Sequence, residues 1–106
     1  MANSEPPHRE VFETDEYTAQ YDDIIKRHML DVVGPVLDGV VEGIAKNPRA
    51  MERLTGNIWM EKSKYFGLTV PRFTIFFSIE GDSPQTERVL LLWIEENTTT
   101  EEIGGI

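Results

Sequence analysis

Residues 58–65 read Ile-Trp-Met-Glu-Lys-Ser-Lys-Tyr, residues 72–79 Arg-Phe-Thr-Ile-Phe-Phe-Ser-Ile and residues 88–94 Arg-Val-Leu-Leu-Leu-Trp-Ile. Each run is rich in β-branched, aromatic or aliphatic residues. Turn formers separate them, first Gly67 to Pro71 and then Gly81-Asp82-Ser83-Pro84-Gln85. Such runs predict strands, and three in succession predict an antiparallel meander. Alternation in the first run puts Ile58, Met60, Lys62 and Lys64 on one side and Trp59, Glu61, Ser63 and Tyr65 on the other. In the second, Phe73, Ile75, Phe77 and Ile79 form an apolar side suited to a helical cover, opposite Arg72, Thr74, Phe76 and Ser78. The third run is apolar on both sides, as expected of a central strand.

Upstream, Thr55-Gly56-Asn57 is a turn signal. Asn47-Pro48 closes a helical stretch from about Pro35 to Lys46 that would bury Val36, Val40 or Val41, and Ile44. Gly39 and Gly43 cost that helix some propensity but would let another backbone come close. An earlier helix is predicted from a cap at Thr14 or Asp15 to about Leu30 or Asp31, through Tyr17, Tyr21, Ile24 or Ile25, and His28. Gly34-Pro35 separates the two, with one long helix kinked at Pro35 as the alternative. Glu10-Val11-Phe12-Glu13 reads as a short first strand. The fold expected is α+β in the order β-α-α-β-β-β, with a two-helix hairpin on one face of the sheet. Residues 1–9 read as a flexible leader, 10–96 as a single domain and 97–106 as a polar, acidic tail.

A chain of 106 residues supports one domain with a modest core. There is no cysteine, which excludes a disulfide framework and cysteine-based zinc or nucleophile chemistry. No apolar run is long enough to span a bilayer, and residues 1–8 carry no apolar signal segment. The cytoplasm is the compartment expected, without a membrane partner. Ten Lys and Arg stand against nineteen Asp and Glu, a net charge of −9, which argues against a general nucleic-acid coat. The signs are unevenly placed. Acids crowd Glu10 to Asp38 and Glu95 to Glu102, whereas Arg49, Arg53, Lys62 and Lys64 share a stretch with only Glu52 and Glu61. A basic patch on an acidic body follows. The acid excess otherwise reads as solubility or life in high salt.

The element order, with several short runs, resembles the RelE/ParE toxin superfamily of type II toxin–antitoxin modules over roughly Val11 to Glu95. Val11-Phe12-Glu13 resembles the family's first strand. Asn47-Pro48 with Arg53-Leu54-Thr55-Gly56 resembles its "N-P…K-L-x-G" run. Lys62-Ser63-Lys64 resembles the alternating basic strand of ribosome-dependent mRNA interferases, and Arg72 to Phe77 the "Y-R-V-I-Y" strand. The resemblance implies a cognate antitoxin, action on mRNA at the ribosome, and no cofactor or metal. It also implies catalytic roles for Lys62, Lys64 and Arg72: one of the lysines as base or phosphate anchor, and Arg72 stabilising the charge that develops on phosphate.

The chain departs from that pattern. The nuclease branch carries a basic segment after the last strand, then a Tyr or His. Here Glu95-Glu96-Asn97-Thr98 occupies that place, and no Tyr or His follows Tyr65. Glu61 also falls on the side that should face the core. A degenerate or non-nuclease member fits these departures better than an efficient interferase. The alternative is a non-catalytic α+β binding or regulatory domain of the same architecture. Structural readings are the plainer ones elsewhere. Lys62 and Lys64 read as a solvated strand face, Arg72 as a partner for Glu61 or Glu80, and His28 as a favourable charge at a helix end. Met29, Met51 and Met60 read as packing. One of Trp59 and Trp93 is a candidate for an exposed interface position. The acidic end is a candidate cover for the basic patch.

Overall fold

The computed structural model describes residues 9–28, 30–64, 71–83 and 85–97. Residues 1–8 of the expected leader, residues 65–70 with Tyr65 and most of the expected Gly67 to Pro71 loop, Met29, Pro84 and the tail from 98 onward lie outside the described residues. The elements are β1 (Glu10–Glu13), α1 (Asp15–Arg27), α2 (Leu30–Lys46), a 3-10 turn at Pro48–Ala50, β2 (Glu52–Thr55), β3 (Ile58–Lys62), β4 (Arg72–Glu80) and β5 (Arg88–Asn97). They form one five-stranded sheet in the order β1-β5-β4-β3-β2. β1 runs parallel to β5, and the remaining pairs are antiparallel. The fold is α+β with both helices packed on the sheet. No described helix is long and apolar enough to cross a membrane.

Three details differ from the sequence reading. The meander has four strands, because β2 precedes the Thr55-Gly56-Asn57 turn and pairs with β3. Every residue of β2 is exposed, so no in–out alternation marks it in the sequence. It is the short, charged edge strand that blunts a sheet margin. Gly56 takes φ +51 in the turn, a left-handed conformation that favours glycine. α1 ends at Arg27 and α2 begins at Leu30, so the expected boundary at Gly34-Pro35 is not there and Pro35 lies inside α2. β5 also extends through Glu95 and Glu96 to Asn97, three residues beyond Ile94.

The core lies between the helices and one face of the sheet. Tyr17, Leu37, Ile44, Phe73, Phe77 and Leu91 are among its fully buried side chains. β4 follows its period-two pattern: Phe73, Ile75, Phe77 and Ile79 all reach this core. β5 does not keep one phase. Phe76 pairs with Trp93 and Phe77 with Leu91, so Leu92 is an extra residue in a bulge. The bulge sends Ile94 into the core with Val89 and Leu91, and leaves Trp93 on the other face. There it stacks on Phe76 with ring centroids 4.5 Å apart.

Thr14 and Gln20 of the α1 segment satisfy backbone groups of β5 beyond the end of β1. Thr14 caps the helix by accepting from the Tyr17 N–H. Its hydroxyl also contacts the Leu91 and Leu92 carbonyls, each at 2.9 Å. Gln20 Oε1 accepts from the Ile94 N–H at 2.6 Å. At the far end of β5, buried Glu87 receives Arg9 at 3.2 Å and Arg49 at 2.5 Å, joining the start of β1 and the 3-10 turn to the sheet. Buried charge survives in such a place because it is paired and hydrogen-bonded.

Candidate functional site

β3, β4 and β5 bring their charged residues together at one end of the sheet. Register places Lys62 opposite Thr74, and Thr74 opposite Glu95. Arg72 lies opposite Asn97. Phe73, Ile75 and Phe77 point to the helices, so alternation puts Lys62, Arg72, Thr74, Glu95 and Asn97 on the other face. Two strand spacings, roughly 10 Å, separate the backbones of Lys62 and Glu95. The Thr74 hydroxyl and Asn97 Oδ1 are 3.0 Å apart. Lys62 and Lys64 are exposed, and Arg72 is half-buried. No ion pair joins any of these three cations to another described residue.

Ser63 holds this end in shape. Its N–H donates to the Phe73 carbonyl at 2.8 Å, and its hydroxyl oxygen accepts from the Phe73 N–H at 2.9 Å. The side chain thereby extends the pairing of β3 with β4 past the last regular residue. Ser63 is 2% exposed, a buried serine between two exposed lysines. Its carbonyl accepts from Arg72 Nε at 3.3 Å. The expected partners of Arg72, Glu61 and Glu80, are engaged elsewhere: Glu61 receives the Lys62 N–H, and Glu80 receives the Ser78 hydroxyl. The sequence signal for Ser63 is a small polar residue at an inward-facing position of an otherwise charged strand end.

The two acids at the end of β5 part company. Glu96 opposes Phe73 and lies on the helix side, where its oxygens contact Arg27 at 2.7 Å and His28 at 3.0 Å. Burial pushes its carboxyl up. The hydrogen bonds from Arg27 and His28, with their charges, outweigh that and hold it below the usual carboxylate range. Only Glu95 shares the face of Lys62 and Arg72. His28 keeps a structural place: its backbone N–H closes α1 on the Ile24 carbonyl at 2.9 Å, and its ring meets Phe73 edge-on.

A groove of about 320 Å³ runs beside the lysines, with α2 from Pro35 to Gly43 on one wall and Glu61, Lys62 and Lys64 on the other. Glu61 on the core side of β3 is therefore accommodated at an open margin. The close backbone approach expected at Gly39 and Gly43 is absent. A Cβ on Gly39 would meet nothing within 4 Å, and one on Gly43 only the tip of Met51 at 4.0 Å. The glycines open the groove. Trp59 packs against the core cluster as a partly buried residue. Among the described residues, no group of three or more His, Asp or Glu is placed to hold a metal ion.

No protein-family model, curated protein or solved structure matches the chain.

Proposed function

We propose that the chain is a RelE/ParE-like toxin of a type II toxin–antitoxin module, whose Lys62/Lys64/Arg72 end engages the phosphates of mRNA on the ribosome. The observation that carries this reading is a strand, two helices and then an antiparallel meander, with those three residues at the adjoining ends of β3 and β4. Phosphate oxygens are well met by cations without competing carboxylates. None of the three pairs with a described acid. The groove along α2 is the surface assigned to the cognate antitoxin. An apolar helix face would lie along Val36 and Val40, and its acidic residues would meet the lysines.

Cleavage is slow in this reading. A 2′-hydroxyl attack needs a base and a proton donor for the leaving oxygen. A lysine serves as the first only when its ammonium is deprotonated. No described His or Tyr lies on the face of Lys62 and Arg72; His28 is engaged with Glu96 on the helix side. Glu95 on the same face favours the second reading, a non-catalytic binding domain, because its charge opposes phosphate.

The experiment is binding and cleavage of a defined mRNA, with and without ribosomes, by wild type and by Lys62→Ala/Lys64→Ala/Arg72→Ala. The toxin reading predicts ribosome-dependent binding that the triple variant loses, with slow or undetectable cleavage. Equal behaviour of the two proteins overturns it in favour of the binding domain.

A further inference from the structure

The face of the sheet turned away from the helices carries an aromatic pair beside the cationic end. Phe76 and Trp93 are register partners on β4 and β5. Their rings stack with centroids 4.5 Å apart and planes 14° from parallel. Met60 of β3 lies opposite Phe76 and completes an apolar row across the three strands. Phe76 is 6% exposed, whereas Trp93 is half-buried. β1 reaches only to Leu91, so no described strand runs along the outer side of Trp93. One broad surface of the indole rests on Phe76, and the other has no described aromatic partner. Trp59 belongs to the opposite side, against the core. Of the two tryptophans, Trp93 is the one at an interface position.

The next row towards the end of the sheet is Lys62, Thr74 and Glu95, and beyond it Arg72 stands opposite Asn97. Successive rows are two residues apart along the strands, about 7 Å. The face is therefore graded, with an aromatic platform on β4 and β5 and then cations on β3 and β4. Glu95 sets the direction of the grading. It stands on β5, so a phosphate is drawn over β3 and β4 and repelled from β5, and a neutral ring is not. Single-stranded RNA carries both parts in every nucleotide, a phosphate and a flat neutral base joined through the sugar. Unpaired bases stack on aromatic side chains of sheet faces, and any base serves because each has a π-face.

We infer that Trp93 is the base-stacking residue of the RNA site. An unpaired base of the message lies on the indole over β5, and its neighbouring phosphates lie over Lys62, Lys64 and Arg72. Phe76 is a positioning residue: buried between Met60 and Trp93, it holds the plane of the indole. The inference rests on the RNA-binding reading above and adds to it the side chain that holds the base.

The test is binding of the full chain to ribosomes loaded with a defined mRNA, and to the same ribosomes loaded with that mRNA after the bases of its unpaired codon are removed, leaving sugars and phosphates. Wild type binds the intact message about tenfold more tightly, the discrimination expected of one stacked base. Trp93→Leu keeps an apolar side chain but removes the π-face, and it binds both messages as weakly as wild type binds the abasic one. Trp93→Phe restores most of the preference. Trp59→Phe, on the core side, leaves the preference unchanged. Equal affinity of wild type for the two messages overturns the inference, and so does a Trp93→Leu protein that still prefers the intact one. In either failure, loss of binding by Lys62→Ala/Lys64→Ala/Arg72→Ala leaves the phosphate reading standing. Absence of wild-type binding to either message overturns both. Melting curves of each variant confirm folding.

Discussion

The cationic strand ends and the tyrosine pocket, lined by Glu13, Tyr17, Tyr21, Asp38 and Glu42, are opposite in charge and opposite in construction. At the strand ends, Lys62 and Lys64 are exposed, and Arg72 reaches back only to the Ser63 carbonyl. At the pocket, Tyr17 belongs to the hydrophobic core and to the pocket wall at once. The charges of the first region are separable from stability, because they are carried on a frame that Ser63 and Phe73 hold. The second region is bound up with stability, because removing the Tyr17 ring removes part of the core.

The largest test of that contrast is Tyr17→Ala, expected to cost about 3–5 kcal/mol by analogy with other buried aromatic truncations, read by denaturant unfolding. Tyr17→Phe keeps the ring and should lose far less. Ser63→Ala comes next. It leaves the buried Phe73 N–H without its acceptor, a loss of about 1–3 kcal/mol, and loosens the end that carries both lysines. A Ser63→Ala protein as stable as wild type would break the claim that this serine holds the strand end.

Smaller effects sharpen the comparison. Gly39→Ala should stabilise by about 0.5–1 kcal/mol, because the added methyl meets nothing and the helix gains propensity. The same change should narrow the groove beside the lysines. Glu96 contributes under about 1 kcal/mol, as a partly exposed ion pair does. Its lowered folded-state pKa means that this stability is present above the usual carboxylate range and is lost as pH falls through the lowered value. Melting curves of wild type and Glu96→Gln should therefore differ at pH 7 and converge in acid. Lys62→Ala/Lys64→Ala should change stability least, within about 0.5 kcal/mol per site.

Much of the architecture is legible in the residues. The three apolar runs, the capping Thr14 and the inward row of Phe73, Ile75, Phe77 and Ile79 follow from local periodicity and capping chemistry. β2 is not legible, because a fully exposed edge strand has no alternation to display. The bulge at Leu92 is not legible either. β5 is apolar on both sides, so its pattern is the same with or without a phase shift. The shift shows only in the pairing with β4, and the side chains that meet this stretch, Thr14 and Gln20, are distant in sequence. The lysines and Arg72 of the candidate site stand out as cations on a strand, but the role of Ser63 depends on pairing. The division of Glu95 from Glu96 likewise depends on which face each residue takes. The tyrosine pocket has no contiguous signal, since its acids come from β1 and α2 and its rings from α1.

The most direct test of the central claim is growth after induced expression in a bacterial host, for wild type beside the Lys62→Ala/Lys64→Ala/Arg72→Ala variant at matched protein levels. The toxin reading predicts arrest by wild type, relieved by the product of a small adjacent gene, and normal growth with the variant. Equal, unimpaired growth of both strains would contradict it.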